Sequence, residues 1–172
     1  RAMFHIDNCY YLASVTVRGY RVKTNKVSNT AFRGFGGPQG ILAIENVIEE
    51  IASATGLDPL VVRQKNFYGP SDNRDTTHYG QRIEQHIIQP LVARLIINSE
   101  YHKRKDEIHQ FNKTSAVLKR GIAITPVKFG ISFTVTHLNQ AGALLHIYTD
   151  GSVQLNHGGT EMGQGLYTKV VQ

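Results

Sequence analysis

The chain has 172 residues, 41% of them hydrophobic, a net charge of +6 and a single cysteine. That length suits one ordinary domain or two small ones, with apolar content enough for a core and no mark of disorder. The basic residues are scattered, and the densest run, His102–Lys105, leads straight into Asp106 and Glu107. Such a pattern is a solvated helix face, so nucleic acid is not a predicted partner.

Cys9 alone rules out an internal disulfide and fits a reducing, cytoplasmic compartment, with the thiol buried and inert. No apolar run reaches membrane-spanning length and the N-terminus lacks the form of a signal peptide, so no membrane partner is predicted. The eight histidines fall into no zinc spacing. The chain opens on Arg1-Ala-Met-Phe4 and stops in an apparent helix start, Leu166–Gln172. Both ends predict a piece of a longer polypeptide.

In chain order, residues 10–24 carry Val15, Val17, Tyr20 and Val22, with a change of phase at Gly19 that predicts a bulged strand or two short ones. Next comes Asn29-Thr-Ala-Phe-Arg-Gly-Phe-Gly-Gly-Pro-Gln-Gly40, with four glycines inside seven positions. Glycine permits positive φ and close approach of a ligand to the backbone. Pro38 suits a first helical position. Behind it, Ile41, Ile44, Ile48 and Ile51 predict the apolar face of a helix to about Thr55, with Glu45, Glu49 and Glu50 opposite and Gly56 as the cap. The whole reads as a tight loop at a helix N-terminus, a place that favours anions. Arg33 and the two phenylalanines suggest that the anion is flat. The alternative is a turn that only packs a strand on a helix, and neither G-x-G-x-x-G nor a P-loop lysine is present.

Asp58-Pro59 predicts the cap and first turn of a short helix. Residues 68–81 are polar and turn-rich, a surface loop whose His78 and Tyr79 could line a site but read first as exposed. Two helices follow, near Pro90–Ile97 and from Ser99 to about Asn112. From Lys119 the period becomes two: Val127, Phe129, Ile131, Phe133 and Val135 predict a strand with one buried face. Ala141–Thr149, apolar on both faces, reads as a central strand. Asp150-Gly151 predicts a two-residue hairpin turn into Val153 and Leu155. The change of period near residues 113–119 is the candidate domain boundary.

The second hairpin strand runs into His157-Gly-Gly-Thr-Glu-Met-Gly-Gln-Gly165, another glycine-rich loop before a helix start. Two such loops favour one anionic ligand held between two sub-domains. Gln164 can both donate and accept a hydrogen bond.

Both loops resemble the molybdopterin-binding region of xanthine dehydrogenases and oxidases, the molybdenum hydroxylase family. Further matching stretches are Arg1–Tyr10, Arg63–Phe67, Thr77–Tyr79, Lys128–Phe133, Leu138–Ala143 and Tyr148–Ser152, so the resemblance covers essentially the whole chain. It implies an α+β fold. Residues 1–116 would be the C-terminal part of a first molybdopterin-binding sub-domain and 117–172 the N-terminal part of a second. The longer loop around Pro70–Asp75 leans towards a bacterial member with a separate molybdenum subunit.

The implied activity is oxidative hydroxylation of hypoxanthine and xanthine to urate at a molybdenum–pterin centre carrying sulfide, oxo and hydroxyl groups, with hydride transfer to the sulfide. Electrons would leave through 2Fe-2S clusters and FAD in other domains or subunits of a hetero- or homo-oligomer. Arg1 matches the family's catalytic, substrate-binding arginine, which offsets negative charge on the purine. Phe35 matches a ring that stacks on the substrate. Arg33, Gly34, Phe35, Met162, Gly163 and Gln164 are the implied cofactor-binding residues. Arg33 would lie near molybdenum through its main chain, and Gln164 near the oxo group. The family's general base is a glutamate downstream of this stretch, and neither Glu45 nor Glu161 matches it. Two alternatives stay open: an aldehyde oxidase, against which Arg1 argues, and a structural fragment without activity of its own.

Overall fold

A computed structural model describes residues 1–29, 31–71, 73–130 and 135–172. Two compact units result, residues 1–129 and 130–172. Helices dominate the first and a hairpin the second, an α+β composition in keeping with the sequence.

The first unit holds α1 (Ala2–His5), α2 (Gly37–Thr55), α3 (Pro59–Asn66), α4 (Ile88–Asn98) and α5 (Tyr101–Thr114). Local signals place the ends of the long helices. Pro38 lies in the first turn of α2, and Gly56, at φ 68°, closes it with its amide on Ala52 O. The Asp58 side chain accepts from Leu60 N at 2.7 Å and so caps α3. Its other oxygen meets Lys105 of α5.

The buried stripe of α2 is Gly37, Gly40, Ile44, Ile48 and Ala52, whereas Ile51 is 43% exposed. The stripe keeps Ile44 and Ile48 of the isoleucine spacing and departs from it at the ends, where Gly40 and Ala52 are buried in place of Ile41 and Ile51. Glu45 does not face solvent as the pattern predicts, whereas Glu49 stays 49% exposed. Glu45 is 12% exposed and both carboxylates hold the Arg63 guanidinium of α3, itself only 3% exposed, at 2.9 and 2.6 Å. An unpaired buried guanidinium is costly, so the pairing pulls α2 and α3 together. Around these helices pack Tyr10, Leu60, Phe67, Val92 and Tyr101.

The strand expected over 10–24 does not form among the described residues. Tyr10 makes one isolated bridge to Phe67. Beyond it, Tyr20, Val22 and Val27 are 81%, 79% and 93% exposed. A β-pattern fixes a face but not a partner, and here no neighbouring strand supplies the ladder. Val127, Phe129 and Val135 also lie outside any strand, and residues 131–134 of that predicted strand lie outside the described residues.

The second unit contains a 3₁₀ turn (Thr136–Leu138), β1 (Ala143–Ile147), β2 (Val153–His157) and α6 (Leu166–Val171). β1 and β2 are antiparallel, with Leu145 opposite Leu155. The turn is three residues rather than two. Tyr148 N donates to Ser152 O, Gly151 N donates to Tyr148 O, and Gly151 takes φ 83°. This is a type I turn closed by a left-handed glycine. Among the described residues β1 pairs only with β2, and Leu144, Leu145 and Ile147 are 66%, 57% and 64% exposed, so it is not a central strand there.

Candidate functional site

The first glycine loop gathers against the chain's opening residues. Gly34 and Gly36 both have φ 94°, and Phe35 between them takes φ 48°. A tight turn results, with Phe35 N donating to Phe32 O at 2.7 Å and Gly37 N to Gly34 O at 2.9 Å. A Cβ on Gly36 would lie 3.2 Å from Ala2 N and 3.6 Å from Arg1 Cβ. One on Gly40 would stand 2.3 Å from Ala2 O, and one on Gly37 would meet the Phe129 ring at 2.3 Å. The glycines are thus needed for close packing as well as for φ.

Arg1 is the N-cap of α1 and its carbonyl accepts from Phe4 N and from the His5 ring, both at 3.0 Å. The guanidinium carbon lies 5.6 Å from the centre of the Phe129 ring, which His5 also contacts at 4.7 Å. Arg1 and the Phe35 turn are therefore neighbours, joined through Gly36. Arg33, in the same turn, is exposed.

Beside the turn opens a cavity of about 520 Å³ lined by Asn29, Ala31, Phe32, Phe35, Gly36 and Gln39. Its size is that of a small-molecule site. Two phenyl rings, two side-chain amides and a backbone stripped of Cβ atoms suit a flat group rich in hydrogen-bonding edges. A pterin has that chemistry, and this loop fits it.

The second glycine loop satisfies itself. Glu161 accepts from Gly163 N at 2.6 Å, Gly165 N at 3.2 Å and Leu166 N at 2.6 Å. Burial acts to raise the Glu161 carboxyl, but the amides of Leu166, Gly163 and Gly165 outweigh it and hold the group below its usual range. A carboxylate of the loop itself thus occupies these amides at the helix start. Gln164 accepts from Met162 N at 2.6 Å and donates to Thr160 O at 2.9 Å. Any ligand contact by Gln164 exchanges one of these bonds.

Glu45, set aside in the sequence as no match for the general base, is firmly committed. Glu45 accepts from Asn8 at 2.8 Å, Tyr10 at 2.6 Å and Arg63 at 2.9 Å. Asn8 in turn donates to Pro126 O and accepts from Lys128 N. This buried net pins the segment after α1 to α2. Sequence reasoning missed Asn8, Phe129 and Asp7. The only available signal was their membership of quoted motifs. Cys9 is fully buried, which pushes its thiol up to about 12.

Two family profiles, each described as a molybdopterin cofactor-binding domain, match residues 1–67 and 94–172. Together they leave only residues 68–93 uncovered. The chain belongs to the molybdopterin cofactor-binding domain family. Over all 172 residues it is 53% identical to the xanthine dehydrogenase/oxidase of Felis catus and 52% to the xanthine dehydrogenase of Drosophila subobscura, and it spans 13% of each. It is 51% identical to the xanthine dehydrogenase/oxidase of Gallus gallus, of which it spans 12%. As a molybdopterin-domain chain it carries both glycine loops within the matched residues.

Proposed function

We propose that this chain is the part of a xanthine-hydroxylating molybdenum enzyme that cradles the pterin and presents an arginine to the purine. The single observation that carries the reading is the packing of Arg1 against the Phe35 turn through Gly36, beside a cavity of about 520 Å³. The identity with xanthine dehydrogenases over the whole chain supports the substrate class.

Arg33, Gly34 and Phe35 would hold the cofactor from one loop, and Met162, Gly163 and Gln164 from the other. When bound, the molybdenum–pterin group supplies the oxidising centre at which a ring carbon is hydroxylated. The Arg1 guanidinium offsets negative charge gathered on the purine. The Phe35 ring stacks on the flat substrate and excludes water from one face. Glu45 and Glu161 are spent on buried and backbone donors, so neither serves as general base in this reading. That group belongs to another part of the polypeptide, as do the FAD and iron–sulfur centres. We also read residues 1–116 and 117–172 as pieces of two successive sub-domains, and the whole protein as cytoplasmic and oligomeric.

The test is elemental and kinetic. The full-length protein should carry molybdenum and pterin and form urate from xanthine. A molybdenum-free protein, or one inert towards xanthine, overturns the reading.

A further inference from the structure

His78, which the sequence assigns to an exposed loop, sits at the tip of a folded one. Thr77 N and Gln81 O bond at 2.8 Å, Gln81 N reaches Thr77 Oγ1 at 2.9 Å, and Arg82 holds Asp75 at 2.9 Å. From that tip the imidazole reaches Met3 O, with Nε2 at 2.7 Å. A carbonyl only accepts, so Nε2 carries the hydrogen. The other ring nitrogen is buried 3.8 Å from Asp7 Oδ2 and has no hydrogen-bond partner among the described residues. Asp7 is fully buried, and its Oδ2 also takes Lys128 Nζ and Tyr68 OH, each at 2.8 Å. Tyr79 packs edge-on against both His78 and Phe4.

Met3 belongs to α1, a single turn that begins at Arg1. One turn of helix does not hold itself in water. On one side α1 abuts Gly36 and Gly40, and on another its carbonyl is gripped by His78. We infer that His78 is a positioning residue, which fixes the direction of Arg1 by holding the Met3 carbonyl, with Tyr79 packed edge-on against the imidazole. The inference rests on the reading of Arg1 as the substrate arginine.

The experiment uses the full-length, cofactor-loaded protein with His78→Ala, His78→Gln, Arg1→Met and the double variant His78→Ala/Arg1→Met. In His78→Ala, kcat/KM for xanthine should fall about tenfold or more while an aliphatic aldehyde changes by less than about threefold. His78→Gln, whose amide can still donate to Met3 O, should recover most of the loss. The double variant should be no worse than Arg1→Met alone, because the histidine acts through the arginine. Independently of turnover, amide exchange across residues 1–10 should quicken about tenfold in His78→Ala at unchanged molybdenum content.

Equal losses on both substrates, additive losses with Arg1→Met, or unchanged exchange would overturn the inference. If Arg1→Met is substrate-selective and His78→Ala is not, only the role of His78 falls. If Arg1→Met is not selective, the reading of Arg1 falls and this inference falls with it. Should His78→Ala not fold, His78→Asn, whose shorter amide misses Met3 O, gives the same readings.

Discussion

Gly40 packs so closely on Ala2 that a Cβ at residue 40 would stand 2.3 Å from the Ala2 carbonyl oxygen. The obstacle is backbone, so α1 must move. Gly40→Ala should destabilise by about 1–3 kcal/mol, the ordinary cost of overpacking. The control is Gly121→Ala, where nothing lies within 4 Å. Denaturant unfolding should separate the two, and equal stabilities would refute the close packing of α1 on α2.

Arg63 makes the second prediction. Its guanidinium is buried, yet the hydrogen bonds it donates to Glu49 and Glu45 outweigh burial and raise its pKa. Removing one partner of such a net leaves a buried charge short of a partner, at a cost of up to about 3–5 kcal/mol. Arg63→Met and Glu45→Gln should each show this in unfolding, with a double variant well short of additive. Losses below about 1 kcal/mol would mean that the pair is solvated.

The elements that were legible in the sequence were those written locally. Gly37–Thr55 could be read from Pro38, Gly56 and its apolar spacing, and α3 from Asp58-Pro59. The extended segment 10–24 was misjudged because a strand depends on a distant partner that its own residues do not name. The Asn8–Glu45–Arg63 net was invisible for the same reason: it joins residues 37 and 18 positions apart. Both glycine loops were legible as loops. That Glu161 fills the amides of the second was not, since a capping carboxylate and an exposed one look alike in sequence.

Alkaline pH should weaken the first unit. Burial raises the Cys9 thiol from an ordinary 9.0 to about 12, and also lifts Tyr10 and Tyr68 above their usual range. Below pH 9.0 the thiol is neutral in both states, and its contribution is complete. Between 9.0 and about 12 the unfolded chain gives up the proton and the folded chain keeps it, so stability falls as pH rises. Unfolding midpoints measured from pH 8 upward should decline less steeply in Cys9→Ala. An identical slope in the variant would remove Cys9 from the effect.

The isolated 172-residue chain should neither retain molybdenum nor form urate. It spans 13% of its relatives, and Leu144, Ile147, Tyr20 and Val22 stand more than half exposed. Exposed apolar surface of this kind seeks a partner. Dye binding and self-association should accompany the absence of metal. Stoichiometric molybdenum in the isolated chain would refute this.

In the proposed reading purine chemistry turns on Arg1, whose guanidinium stands over Phe129 beside the Phe35 turn. Charge gathered across a purine falls within reach of such a group, whereas a small aldehyde gathers its charge at one oxygen. The decisive measurement is steady-state kcat/KM for xanthine and for an aliphatic aldehyde on full-length Arg1→Met. Xanthine turnover should drop about a hundredfold, as when one well-placed charge-stabilising donor is lost, while the aldehyde stays within about threefold. Equal losses on the two substrates would contradict the assignment of this arginine to the purine.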